Sequence, residues 1–144
     1  MDFFLNAVEP TVGLHHRSAT NRIVEIPEGD GRVGILMATD VASGEALWTH
    51  RQRAGIGGSV LTTGGGLVFV SDDDRRFRAF DAHSGDILWE QVLNSTAGGF
   101  PVSYMVDGEQ YVAIAAGGGI TYRMLTPEIQ QRSGGNMLFV FKLP

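Results

Sequence analysis

Cysteine is absent from the 144 residues, which excludes a disulfide framework and any thiolate-held metal. That absence is compatible with either side of a membrane. Positive charge is scarce: 11 Lys and Arg stand against 16 Asp and Glu, for a net charge of −5. An acidic balance of this kind argues against a nucleic-acid or anionic-membrane binder. No apolar run approaches the ~18 residues of a membrane-spanning helix. The opening "MDFFLNAVEP" lacks a basic start, and Asp2 and Asn6 interrupt its short apolar run, so no export signal is expected in this chain. Tryptophan occurs only twice, at Trp48 and Trp89. What the chain has in excess is glycine, with 20 residues, about twice the usual share of ~7%. The glycines fall between short apolar runs, a pattern of many turns and short strands. The length suits one core and not two full domains.

The sequence repeats itself. "ATDVASGEALW" at 38–48 returns 41 residues later as "AFDAHSGDILW" at 79–89. Ala38, Asp40, Ser43, Gly44, Leu47 and Trp48 recur as Ala79, Asp81, Ser84, Gly85, Leu88 and Trp89. A period of roughly 40–45 residues marks the blade of a β-propeller, a unit of four antiparallel strands. The stretches 59–63, 67–71, 77–81 and 86–93 read as one whole blade, with Gly64, Gly65 and Gly66 as the first turn. Alternation puts Phe77 and Ala79 on one face of the third strand, Arg78 and Phe80 on the other. The glycines permit positive φ in the turn, and Asp40 and Asp81 can cap turn amides. Trp48 and Trp89 are expected to act as flat staples between neighbouring blades, each burying roughly 200 Å2.

The remainder is fractional. Residues 33–39 and 46–52 supply the last two strands of an earlier blade, and 22–26 offers a stray strand. The segments 101–106 and 110–116 form a hairpin about Asp107-Gly108, followed by a glycine-rich loop over 117–136 and a strand over 136–143. The expectation is an all-β chain: a partial β-propeller of about two and a half four-stranded antiparallel blades. Residues 33–144 form the propeller, and residues 1–32 are an unassigned, irregular or edge-covering segment.

The pattern Ala-x-Asp-x-x-Ser-Gly-x-x-x-Trp resembles the tryptophan-docking motif of the quinoprotein dehydrogenases. "LTTGGGLVFVSDDDRRFRAFDAHSGDILWEQVL" followed by "GGFPVSYMVDGEQYVAIAAGGG" is similar to the closing blades of that family, and "GGNMLFVFKLP" resembles its carboxyl end. The resemblance covers roughly 33–144. It implies a parental eight-bladed periplasmic ring that oxidises a sugar or alcohol with pyrroloquinoline quinone and calcium, passing electrons to a quinone or cytochrome. It further implies that Tyr104, Gly117, Gly118 and Gly119 approach the cofactor. The family's catalytic base and calcium ligands come from earlier blades, so no catalytic residue and no metal ligand is carried over, and the chain by itself is expected to be inactive. The upstream blades then become its partners, with self-association through open blade edges when they are missing. The alternative is a non-catalytic propeller scaffold of the outer-membrane barrel-assembly type.

Other candidate chemistry is thin. His15-His16 has no spaced third ligand. Asp72, Asp73 and Asp74 lack the alternating loop of a calcium hand and read as a solvated link between strands. "TGGGL" at 63–67 has no following Gly-Lys-Ser/Thr, so it is not a phosphate loop. Ser59, Ser95 and Ser103 sit in no nucleophile elbow.

Overall fold

The computed structural model describes residues 4–6, 20–22, 30–117, 125–129 and 134–144. Among them every regular element is a strand. β1 (Phe4–Asn6) and β2 (Thr20–Arg22) pair only with each other. Of the stray strand expected over 22–26, Arg22 alone lies within the described residues. β3 (Gly34–Thr39) and β4 (Ala46–Gln52) make a two-stranded sheet. β5 (Leu61–Thr62), β6 (Leu67–Ser71), β7 (Arg76–Asp81) and β8 (Ile87–Val92) make a four-stranded meander. β9 (Val102–Val106), β10 (Glu109–Ala116) and β11 (Met137–Lys142) form a third sheet in the order β11-β10-β9. All pairs are antiparallel, giving one complete blade flanked by two partial ones.

The repeated stretch is a specification for one turn and its flanking bulge. Ala38 lies opposite Trp48, and Ala79 opposite Trp89. Each register slips immediately after that alanine, so both copies carry the same irregularity. Asp40 Oδ1 then accepts from the amides of Ala42 (3.0 Å) and Ser43 (2.7 Å), and Asp81 Oδ1 from those of His83 (2.8 Å) and Ser84 (2.9 Å). The Ser43 amide, the Ser43 hydroxyl and the Ala42 amide hold the Asp40 carboxyl below the usual carboxylate range; the amides of Ser84 and His83 do the same for Asp81. Gly44 and Gly85 take the positive φ that closes the turn, 74° and 77°.

The strands β6 and β7 of the central blade are buried on both faces, which is why β6 reads as a nearly unbroken apolar run, while β8 is largely exposed. Val68, Val70 and Phe80 pack with Leu36, Trp48 and Ile56 toward the first sheet. Phe69, Phe77 and Ala79 pack with Val112, Ile114, Phe139 and Phe141 toward the third. The alternation expected for residues 77–80 therefore matches the two clusters, with Phe77 and Ala79 in one and Phe80 in the other.

Trp48 crosses from its own sheet to the next. Its ring stacks near Phe80 (centroids 6.4 Å, 9° between planes), and its Nε1–H donates to the Ala82 carbonyl (2.9 Å). Its indole lies directly on Gly85, where an added Cβ would come within 2.6 Å of Cδ2. Trp89 meets Phe77 and Phe141 edge-on, at 6.1 and 4.9 Å.

The segment 72–74 corrects the solvated link expected there. Asp72 and Asp73 are 3% and 1% exposed. Asp72 accepts from Arg78 Nη1 (2.7 Å), Gln52 Nε2 (3.0 Å) and the Arg76 amide (2.9 Å). A carboxylate enters such a site because its charge is met by a guanidinium and its lone pairs by donors.

Candidate functional site

The connections between sheets, 53–60 and 93–101, meet the β6–β7 turn and the end of β10 at one end of the array. The Asp73 amide donates to the Gly55 carbonyl (2.9 Å), the Leu93 amide to Arg75 (2.8 Å) and the Gly117 amide to Thr96 (3.1 Å). The Ser71 hydroxyl donates to the Ala97 carbonyl and that of Thr96 to Asp73 (3.4 Å). Ser71, Asp72, Asp73, Ser95 and Thr96 are all buried here, so the described polar core concentrates at this end. The opposite end carries the tight turns, including those at Gly44, Gly66, Gly85 and Gly108, each with positive φ.

A chain of ion pairs lies within the central blade beside this end, and Gln52 of β4 joins it by accepting from Arg78 (2.7 Å) and donating to Asp72 (3.0 Å). Arg78 joins Asp72 to Glu90 (Nε to Oε2, 2.6 Å), and Arg76 reaches Glu90 from the other side (3.2 Å) and Asp74. Partial burial pushes the Glu90 carboxyl up, but Arg78 and then Arg76 outweigh it and hold the group below its ordinary value. Arg53 binds Glu128 (Nε to Oε1, 2.5 Å) and donates to the carbonyls of Gly31 and Leu125. The hydrogen bond from Arg53 depresses the exposed Glu128 carboxyl.

An open groove of about 650 Å3 lies at this end. Its walls are Gly98 and Gly99 of the link, the end of β10 from Ala115 to Gly117, and Asn136, Met137 and Leu138 at the root of β11. Gly117 has φ +148°, and an added Cβ would sit 2.1 Å from Asn136 Oδ1. Backbone and packing alone therefore demand glycine there. The lining offers backbone, the small side chains of Ala115 and Ala116, the Asn136 carboxamide, the Leu138 side chain and the Met137 thioether, with no charged group. Among the described residues no three His, Asp or Glu side chains are placed to hold a metal. The groove can press against a flat ring; its lining has no group to neutralise a carboxylate or take a proton.

Of the residues expected to approach a cofactor, Gly117 lines the groove. Gly118 and Gly119 lie outside the described residues. Tyr104 is elsewhere: it pairs with Tyr111 across β9 and β10, and their rings stack at 5.6 Å. Tyr111 is six residues before Gly117, about 20 Å along an extended strand. The structure does not bring Tyr104 to the groove. Asn136, which carries one wall, had no signal in the sequence beyond its place before an apolar run.

Residues 31–112 match the PQQ family described as glucose/ethanol/alcohol dehydrogenase, beta-propeller domain. The quinoprotein alcohol dehydrogenase PedH of Pseudomonas putida is 38% identical over 82% of this chain, and 20% of the relative is covered. The 1-butanol dehydrogenase (quinone) of Thauera butanivorans is 39% identical over 100% of the chain and 23% of the relative. The solved quinohemoprotein alcohol dehydrogenase of Comamonas testosteroni superposes with a TM-score of 0.65 at 30% identity, covering 76% of this chain and 16% of that one. The chain thus spans about a fifth of the length of the curated relatives it matches. A two-faced central blade, a repeated turn bearing tryptophan and a matching stretch over more than half its length place this chain in the family of quinoprotein alcohol dehydrogenases that use pyrroloquinoline quinone.

Proposed function

We propose that this chain supplies the closing blades of a quinoprotein dehydrogenase that oxidises an alcohol or a sugar, and that the groove at Gly117 is one wall of the cofactor's pocket. The observation that carries the reading is the groove itself: bare backbone at Gly98, Gly99 and Gly117 beside the small side chains of Ala115 and Ala116, at the end where the inter-sheet links converge, in a chain of this family. When bound, pyrroloquinoline quinone supplies the two-electron acceptor, with calcium as the Lewis acid in the family. The residues here fit the ring's flat face and nothing more. The cofactor's carboxylates, the calcium and the catalytic base need groups from other blades, so the 144 residues alone are expected to show no turnover. Tyr104 packs on Tyr111 and stays outside this reading.

The contact of Trp48 with Gly85 and Ala82 of the next sheet supports a tryptophan-docking role for the repeated stretch. Relatives named as cytochrome c and quinone enzymes support electron transfer to one of those acceptors. Membership of this family supports a periplasmic setting. A scaffold role is the weaker reading, since the curated relatives given above are named dehydrogenases.

Titration of the chain with pyrroloquinoline quinone, read by quenching of the two tryptophans, tests the assignment. Saturable quenching is expected, and Ala115→Phe, which places a ring in the groove from an exposed position, is expected to abolish it. A scaffold would show no saturable quenching in either protein.

A further inference from the structure

Asn94 stands at the start of the link that also carries Gly98 and Gly99. Its single side-chain nitrogen donates to two successive carbonyls, those of Gly134 (2.9 Å) and Gly135 (3.0 Å). Both hydrogens of the amide are thus spent on the lead-in to β11. Its Oδ1 is buried and meets no donor among the described residues, so the two donated bonds orient the side chain. The backbones also touch: a Cβ on Gly134 would come within 2.5 Å of the Asn94 carbonyl oxygen. The residues that follow immediately, Asn136, Met137 and Leu138, are one wall of the groove. Asn136 in turn packs against Gly117, and Ala116 pairs with Met137, so the end of β10 and the root of β11 form one side of the groove. One amide therefore ties the link that forms one side of the groove to the root of the strand that forms the other.

We propose that Asn94 is the positioning residue of the groove: it fixes the Gly134–Gly135 carbonyls and so holds Asn136, Met137 and Leu138, with the end of β10 they pair with, at a set distance from Gly98 and Gly99. Asn94 itself is not among the groove's lining residues and touches no ligand there. Its effect on a ligand passes through the strand root. The ligand half of the test rests on the cofactor reading given above; the exchange half does not.

Asn94→Asp keeps the side chain's size and turns its donor into an acceptor facing two carbonyls. Asn94→Ala removes the donor without adding charge and serves if the first variant folds poorly. Hydrogen exchange on the full 144-residue chain is expected to run roughly tenfold faster at the 136–138 amides, as the loss of two bonds frees that segment. The buried amides over 68–70 and 112–114 are expected to keep their wild-type rates. Unchanged exchange at 136–138, or acceleration shared equally with the buried strands, would overturn the proposal. Pyrroloquinoline quinone is expected to bind the variants roughly tenfold more weakly, for the same loss. Unchanged affinity beside accelerated exchange would overturn the positioning role. Absence of binding by the wild-type chain would count against the cofactor reading instead, and the exchange result would then decide Asn94 by itself.

Discussion

Gly44 and Gly85 occupy the same place in the repeated stretch and take the same left-handed φ, yet their surroundings differ. Nothing lies within 4 Å of a Cβ built on Gly44, whereas on Gly85 it would strike the Trp48 indole at 2.6 and 2.7 Å. The chemistry separating them is one ring from a neighbouring sheet. Gly44→Ala is expected to cost about 1–2 kcal/mol, the penalty of a left-handed alanine. Gly85→Ala carries that cost and about 1–3 kcal/mol more, because the indole must move out of a packed interface. Urea midpoints of the two variants check this; equal losses would mean that Trp48 yields freely and does not staple the sheets. The repeat made both glycines legible as turn residues. It had no way to say which one carries a tryptophan from another sheet.

Between elements, the β6–β7 turn shows how a polar run can belong to the core. "DDDRR" has the composition of a solvated connection, and only the convergence of two inter-sheet links over it makes Asp72 and Asp73 buried. Asp72 is held by Arg78 from β7 and Gln52 from β4, so it ties the central blade to the one before it. The side chains of Asp72 and Arg78 are 2% and 11% exposed. Arg78→Leu is expected to destabilise by about 3–5 kcal/mol, since it leaves a buried carboxylate without its counter-charge. Replacing both partners, as Asp72→Asn with Arg78→Leu, is expected to cost clearly less than the two single losses combined. Chemical denaturation of the four proteins closes this cycle, and strict additivity would show that the pair is not coupled. Strand positions were readable because alternation and the Asp-Gly and triple-glycine turns are local signals. The burial of Asp72 was not, because its partners come from outside its own strand pair.

At the scale of the whole molecule, β6 and β7 of the central blade are covered on both faces while the third sheet has an open flank. Cross-strand pairing puts Val102, Tyr104 and Val106 of β9 on the same face as Leu138 and Val140 of β11. All five are exposed, Leu138 by 66%. Among the described residues no strand pairs with the outer edge of β11. The cation on that edge, Lys142, is already engaged with Glu109 at 2.6 Å. An apolar face beside an unguarded edge favours pairing with another chain. The purified 144 residues are therefore expected to self-associate, with sedimentation coefficients that rise with concentration across the micromolar range. Leu138→Lys with Val140→Lys is expected to restore a monomer. A wild-type chain that sediments as a monomer throughout would show that this flank is covered in solution.

The eleven residues written twice, with the apolar alternation around them, were enough to make the blade and its turn legible, because each of these depends on neighbours within one strand pair; the register slip after each alanine was seen only in the structure. The family resemblance implied that Tyr104 and Gly117 approach one cofactor; in the structure Tyr104 lies opposite Tyr111, six residues along the chain from Gly117. The sequence read Asp72 as solvated, and the structure buries it. It had no signal for Asn94, whose two acceptors lie 40 and 41 residues away. Short-range hydrogen bonding and alternation leave a periodic trace in the chain; contacts between sheets do not, since they join residues whose spacing follows no period. Tertiary packing alone therefore decided where the groove lies, which acidic residues are buried and which glycine receives the tryptophan.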